Sequence, residues 1–444
     1  MSASSSTSRM TQSRKIHRTV LQNGLTVVAV ENSAADIVSS RILINGGSRF
    51  ERPGKDGVSH LMAAVLTKGT DYLSSQDIAE KVESIGASLG TDATTDYCLV
   101  GLKTVASDFS DVLKLAAEIV RSPSFPEHEV ELERRLTLQG IRSMREQPFS
   151  VAYQNLRSLI YGDHPYGESG LGTEATLAEM TRDDLWTYYR DVFRPEEMVV
   201  SIVGRIDPEA AIAQVEAVFG DWTPTSAEGV DSSTQNPYRP QSLEVVPPTS
   251  QPQLTVDVQE TMQAIVMLGY PAASVHSSDY TALKVLSTHL GNGLSSRLFV
   301  ELREKLGLAY DVSAIYPTRV DLSHFVAYMG TAPVNVETAI HGLQKEIDRI
   351  CHQALTPGEL QIAKNKLLGQ YALGKQTNAQ MAQLYGWYEV LGLGIDFDQT
   401  FQDTVANLTA EEILNTASQH FSAPPYLSFV GPHDAASMLN QSAE

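Results

Sequence analysis

The chain is poor in cysteine, in basic charge and in long apolar runs, and each shortage removes a class of function. Two of its 444 residues are cysteines, Cys98 and Cys351, with neither metal-ligand spacing nor a C-x-x-C motif. That excludes a disulfide framework and makes a reducing compartment the default, although one long-range pair stays compatible with the sequence. No apolar run approaches the ~20 residues that a membrane-spanning helix needs. With 33 Lys+Arg against 53 Asp+Glu, a net charge of −20, the chain offers little to nucleic acid or to an anionic membrane surface. The acidity suits a basic substrate, and equally suits a protein that is simply soluble.

What remains is ordinary globular material. Hydrophobic residues make up 42% and charged residues 19%, enough at this length for two or three domains with substantial cores. Residues 2–8 are all Ser, Ala or Thr, positive charge follows at Arg9, Arg14, Lys15 and Arg18, and the first acidic residue is Glu31. This faintly resembles a transit peptide, but strand-like patterning begins near Val20, so residues 1–15 are expected to form a flexible tail.

Hydrophobic periodicity orders the rest. Asn23-Gly24 reads as a hairpin turn between two short strands within residues 18–30, and residues 38–46 read as a further strand. Val58, Leu61, Met62, Val65 and Leu66 mark one apolar stripe of a helix that begins near Asp56. A second helix starts at Ser74 or Ser75, with Asp77 placed for a capping box. A strand is expected over 96–105, a helix over 108–121, a long helix from Pro126 to about Arg145, another near 181–192, and an apolar strand over Met198–Gly204. Residues 223–252 carry six prolines among dense Ser and Thr and read as an interdomain linker. The pattern then restarts: strands near 253–258 and 263–269, helices over about 278–290 and 295–306, strands near 308–316 and 322–330, a helix over 334–352, and a long helix opened by Pro357 as one was by Pro126. The expected fold is α+β: two homologous domains, 16–222 and 253–440, each a mostly antiparallel sheet with helices packed on it, closing around a chamber.

One helix carries the functional signal. The segment Gly57-Val58-Ser59-His60-Leu61-Met62-Ala63-Ala64-Val65-Leu66-Thr67-Lys68-Gly69-Thr70 resembles the zinc helix of the pitrilysin and mitochondrial processing peptidase family, the inverzincins. That family has H-x-x-E-H here, two histidines on one helical face sharing a zinc and a glutamate beside them as general base. This chain reads His60-Leu61-Met62-Ala63-Ala64. The match puts Ala63 at the base and Ala64 at the second ligand. The third ligand, a glutamate on a later helix, falls at Gly140 within Leu138-Gln139-Gly140-Ile141, while a second acidic position is kept as Glu133. One imidazole cannot hold a catalytic zinc, which needs about three protein ligands. His60 therefore reads as vestigial, a packed or hydrogen-bonded histidine. The chain is expected to bind no metal or other cofactor and to hydrolyse nothing alone.

The resemblance runs nearly the whole chain. It includes Gly86-Ala87-Ser88-Leu89-Gly90, His164-Pro165-Tyr166-Gly167, Leu171-Gly172-Thr173-Glu174 and Phe193-Arg194-Pro195 in the family's order. In the second half, Gly291-Asn292-Gly293-Leu294-Ser295-Ser296-Arg297-Leu298-Phe299 and then Glu301 to Tyr310 resemble the family's C-terminal Arg/Tyr signature and place its functional pair at Arg297 and Tyr310. From spacing alone Arg297 reads as a solvated charge at a helix start, off the Leu298/Leu302 stripe. Tyr310 reads as a core aromatic, alternating with Leu308 and Val312 on one strand face. The intact motif turns both toward the family's roles. A guanidinium fork holds a peptide carbonyl or carboxylate, and a phenol donates to a developing oxyanion. Gly291-x-Gly293 lacks the Gly-Lys-Ser/Thr of a phosphate loop.

The resemblance thus implies a zinc-less subunit of a heterodimeric metallopeptidase of bacterial, cytoplasmic type. A homologous partner chain would supply the zinc, its ligands and the base. This chain would supply Arg297 and Tyr310, and unfolded peptide would be the substrate, added as a strand to the partner's sheet edge. The short Gly291-Asn292-Gly293 loop stands where the mitochondrial noncatalytic subunit has a long glycine-rich one, so a presequence-reading role is not implied. Two other readings stay open: a structural subunit of a larger complex, and a module that captures peptides without cutting them.

Overall fold

The computed structural model describes residues 15–223 and 253–441. The tail and the linker expected at 1–15 and 223–252 lie, but for their end residues, outside the described residues.

Eleven strands form two sheets among the described residues. The first contains β1 (Ile16–Val20), β2 (Thr26–Glu31), β3 (Ile37–Asn45), β4 (Ser88–Ala93), β5 (Tyr97–Val105) and β6 (Met198–Gly204), in the order β1-β2-β6-β3-β5-β4. The second contains β7 (Gln253–Val258), β8 (Ala264–Ala272), β9 (Ala309–Ile315), β10 (Ser323–Thr331) and β11 (Tyr426–Gly431), in the order β7-β11-β8-β10-β9. Laid strand for strand from β2 and from β7, the two orders coincide. So do the senses: β2 with β6 and β7 with β11 are the parallel pairs, and every other pair is antiparallel. The internal duplication expected from the restarting pattern is therefore a duplication of topology, and the α+β fold class holds.

The expected elements have identifiable physical causes. Asn23 turns the β1–β2 hairpin, with its side-chain oxygen accepting from the Leu25 amide (3.3 Å) and its amide donating to the Phe219 carbonyl (2.7 Å). Ser74 and Asp77 close a capping box on the helix Ser75–Glu83. The long helix Glu127–Arg145 begins directly after Pro126, and Pro357 opens Pro357–Leu373 behind a Thr356/Glu359 capping box.

β6 and β8 are buried along almost their whole length, because both faces of each sheet centre are covered. The second cover is exchanged between the halves. The first-half helix Pro148–Tyr161 lays Ala152, Leu156 and Ile160 on Ile265, Met267 and Val430 of the second sheet. The second-half helix Asn378–Val390 lays Met381, Ala382 and Tyr385 on Val28, Val199 and Val203 of the first. Backbone and sheet come so close here that a Cβ on Gly386 would lie 2.2 Å from the Leu43 Cδ1. Each half completes the other's core.

A buried polar seam reinforces the exchange. Arg49 reaches Asp321 (3.0 Å) and Asp96 (3.5 Å), and the Tyr166 hydroxyl donates to Asp96 at 2.5 Å. Beside it His324, fully buried, stands between Tyr153 and Tyr161, each hydroxyl 2.7 Å from one ring nitrogen. Tyr161 donates its proton to the Leu322 carbonyl (3.2 Å), so it accepts from Nδ1–H and Tyr153 donates to Nε2. Cys98 and Cys351 are both buried and unpaired. No helix among the described residues is long and apolar enough to cross a membrane.

Candidate functional site

The helix Val58–Leu66 keeps the frame of a site. Val58, Leu61, Met62, Val65 and Leu66 are all buried, the stripe expected from the sequence. Its first turn has no side-chain cap at Gly57. Instead, the Glu51 carboxylate accepts from the Gly57 amide (2.9 Å), the Ser59 amide (2.9 Å) and the Ser59 hydroxyl (2.5 Å). Burial pushes the Glu51 carboxyl up to about 8 against the pull of those bonds.

On that frame the ligand set is missing. The ring of His60 is half-buried, and burial lowers its pKa, while the nearby charges of Asp92 and Glu133 partly offset the shift. Ala63 is buried and its carbonyl accepts from the Thr91 hydroxyl of β4 at 2.6 Å. Glu133, the retained acid, is committed to Lys68 at 2.9 Å. Gly140 lies on Glu127–Arg145, where a Cβ would meet only the Leu171 Cδ1, at 4.0 Å. A side chain fits there, so the glycine is not imposed by crowding. Among the described residues no group of three or more His, Cys, Asp or Glu is placed to hold a metal ion. One imidazole beside a lysine-paired carboxylate does not fit a catalytic zinc.

The second-half motif is built differently. Gly291 ends the helix Tyr280–Gly291 against β9, its carbonyl accepting from Ser313 Oγ at 2.8 Å, and a Cβ there would lie 2.0 Å from the Ala314 nitrogen. Lys366 pins the loop after it by donating to the Asn292 carbonyl and to Ser295 Oγ (3.0 Å). The expected α-helix over 295–306 is a π-helical turn, Phe299–Lys305, with Leu298 and Leu302 buried beneath it.

Arg297 heads that turn and is only 9% exposed, so it is not a solvated charge. Its Nη2 donates to Glu359 Oε1. Burial alone would raise the Glu359 pKa, but the amide and hydroxyl of Thr356 together with Arg297 outweigh it and hold the carboxyl at about 2. Arg297 also adds to the burial that pushes neighbouring His289 down to about 4. One edge of the guanidinium is anchored, and its remaining N–H groups have no bond among the described residues.

Tyr310 departs from the expected face. Leu308 and Val312 are buried, but Tyr310 is 57% exposed. The cause is a bulge: Thr331 pairs with Ala309 and Gly330 with Asp311, so Tyr310 is the extra residue on β9. A bulge breaks the two-residue alternation and re-aims the side chain. The Tyr310 hydroxyl has no partner among the described residues. His60 thus lies in the first half and Arg297 and Tyr310 in the second, and no bond joins the two groups.

Sequence reasoning missed Glu51 and Glu359. Thr356-x-x-Glu359 is a readable capping box, but its second task, holding Arg297, spans 62 residues and leaves no local signal. Glu51 has no sequence signal at all.

Residues 26–174 match the family described as insulinase (peptidase family M16), and residues 179–367 match the peptidase M16 inactive domain. Similar curated proteins include an uncharacterized zinc protease of Rickettsia bellii, 26% identical over 93% of this chain and 97% of its own. Another, from Bacillus subtilis, is 27% identical over 94% and 98%. Among solved structures, a peptidase M16 inactive domain from Pseudomonas fluorescens covers 94% of this chain and 98% of its own with a TM-score of 0.84 at 22% identity. A protease from Helicobacter pylori covers 94% and 100% with a TM-score of 0.85 at 22% identity. These two likenesses establish the fold. With both family domains matched in order along one chain, and His60-Leu61-Met62-Ala63-Ala64 standing where the zinc motif is expected, this chain belongs to peptidase family M16.

Proposed function

We propose that the chain is the zinc-less subunit of a two-chain metallopeptidase and lends Arg297 and Tyr310 to the zinc site of a homologous partner. The observation that carries this reading is an asymmetry. The base and one ligand are gone from the otherwise intact His60 helix and a further ligand from Glu127–Arg145, while Arg297 is anchored by Glu359 and Tyr310 is turned outward by a bulge. Drift without function would erode both halves alike. An arginine fixed on one edge keeps its other donors aligned for a peptide carbonyl or carboxylate. An exposed phenol with a free hydroxyl can donate to the oxyanion of an attacked carbonyl. Unfolded peptide is the substrate class, bound by main-chain pairing in the partner, and the metal belongs to that partner.

The test is reconstitution with a co-purifying homologue that has an intact H-x-x-E-H. Replacing Arg297 with Ala and Tyr310 with Phe lowers peptide hydrolysis by roughly a hundredfold or more, as loss of an oxyanion donor does. Co-elution of the two chains stays unchanged. Full activity in the double variant refutes the shared site.

One observation favours a second reading, capture of peptides without hydrolysis. β4 is an edge strand next to the His60 helix, alternating exposed and half-buried residues, with no outer neighbour among the described residues. Such an edge accepts an added strand. This reading requires micromolar peptide affinity in the isolated chain.

A further inference from the structure

A cavity of roughly 400 Å³ opens among the helices of the second half, and neither Arg297 nor Tyr310 lines it. Its walls are aromatic: Tyr280, Tyr371, Trp387, Phe397 and Phe401. Its single cationic lining residue is Lys284, from the helix Tyr280–Gly291. The ammonium donates to the Tyr316 carbonyl at 2.9 Å and lies 5.3 and 5.0 Å from the ring centroids of Tyr280 and Tyr316. It has three N–H donors and spends one on a backbone carbonyl. Among the described residues no carboxylate stands within ion-pair distance of it. No acid among the described residues lines the cavity, and Asp398, which the wall residue Tyr371 bonds, is already taken by Lys375 and by the hydroxyls of Tyr371 and Tyr388.

A second cavity, of roughly 450 Å³, adjoins the first and shares Gly374, Leu384 and Trp387 with it. Its cation, Arg41 of β3, donates to the carbonyls of Ser40 (2.9 Å) and Leu102 (3.3 Å) and likewise has no carboxylate partner among the described residues. Lys284 and Arg41 are thus two neighbouring part-buried cations that bond to carbonyls and leave donors open to an anionic ligand. Burial lowers the affinity of both groups for their proton, to about 8 for Lys284, and an anion beside either group offsets that cost.

We propose that the first cavity binds an apolar carboxylate, its anion on the Lys284 ammonium and its apolar body among Tyr371, Trp387 and Phe397. The volume and the few convergent polar groups are those of a ligand site. The aromatic walls favour a flat or aromatic body. Two sources share this chemistry: a free aryl-alkanoic acid, and the C-terminal residue of a peptide whose preceding residues run into the second cavity toward Arg41. The site is independent of the zinc-site reading above.

The test is calorimetric titration of the full chain with 4-phenylbutyrate, with 4-phenylbutyramide, and with N-acetyl-glycyl-phenylalanine. At least one of the acids binds, and the amide binds roughly tenfold to a hundredfold more weakly, as loss of a charge-assisted hydrogen bond requires. K284M removes the acid's advantage over the amide. Should K284M fail to fold, Gly374→Phe serves instead. Gly374 is exposed with an ordinary backbone conformation and room for a side chain, so the new ring covers the mouth and blocks binding without disturbing the core. Arg41→Gln separates the sources: weaker binding of the peptide acid alone assigns a chain terminus, and no effect on either ligand assigns the free acid. Equal affinity for acid and amide, unchanged binding in folded K284M or in Gly374→Phe, or no heat from either acid at millimolar concentration overturns the proposal. Unchanged binding in the Arg297/Tyr310 double variant keeps this result separate from the fate of the shared-site reading.

Discussion

His324 gives the sharpest test of how the two halves are held together. It is fully buried at the seam, its ring accepting from Tyr153 and donating to Tyr161. Replacing it with Phe keeps an aromatic ring in the site and removes both ring nitrogens. Tyr161 retains the Leu322 carbonyl, but the Tyr153 hydroxyl loses its acceptor. An unsatisfied buried hydroxyl costs about 1–3 kcal/mol, so at pH 7.5 the variant is less stable by that amount. The pH dependence carries the sign. Burial holds the His324 imidazole well below the usual histidine range, with Arg319 and Arg157 adding to the effect. The unfolded chain therefore takes up a proton near pH ~6.5 while the folded chain does not. The wild type has its full stability above that pH and loses about 1.4 kcal/mol per unit below it from this residue alone, or about 2 kcal/mol by pH 5. His324→Phe lacks that loss. The gap between the two proteins in urea denaturation should shrink as pH falls from 7.5 to 5, to within about 1 kcal/mol or to a reversal. Comparing the two proteins cancels the other titrating groups, including Glu51, whose raised pKa acts in the opposite direction. A gap that stays constant or widens with acid would show that His324 is not held neutral by the seam.

Rebuilding the zinc set with Ala64→His and Gly140→Glu should give about one zinc per chain by elemental analysis after chelator washing, because the helix frame is intact and Gly140 has room for a side chain. The parent chain should give none. Glu359→Gln should cost about 1 kcal/mol or less in folding, since that carboxylate is about a third exposed, yet lower activity of the reconstituted pair by releasing Arg297. An activity loss without a matching stability loss is the outcome to look for. Gly386→Ala should cost about 1–3 kcal/mol through overpacking against Leu43, visible as a lower urea midpoint. A neutral substitution would show that the exchanged helix can shift.

Much of the fold was legible because it is written locally. The apolar stripe of Val58–Leu66, the capping boxes, and the prolines opening two long helices each use residues within a turn or two of one another. β4 was not legible. Ser-Leu-Gly-Thr-Asp-Ala has one large apolar residue, and its sequence reads as a turn. It becomes a strand by pairing with β5. The exchange of Pro148–Tyr161 and Asn378–Val390 was equally hidden, since the sheet that covers each helix lies in the other half of the chain.

The site divides in the same way. The sequence by itself determined that Ala63, Ala64 and Gly140 stand where the resemblance calls for a base and two ligands, and no fold can give those residues ligand atoms in their side chains. It also carries the segment whose resemblance to the family singles out Arg297 and Tyr310. Only the tertiary structure decided what state those two residues are in. Arg297 is buried and anchored because a helix starting some 60 residues later brings Glu359 to it, and Tyr310 faces outward because β9 carries one residue more than its partner strand at that point. Side-chain identity is a local property of the chain, whereas burial, charge pairing and strand register depend on which distant segments meet, and packing settles that.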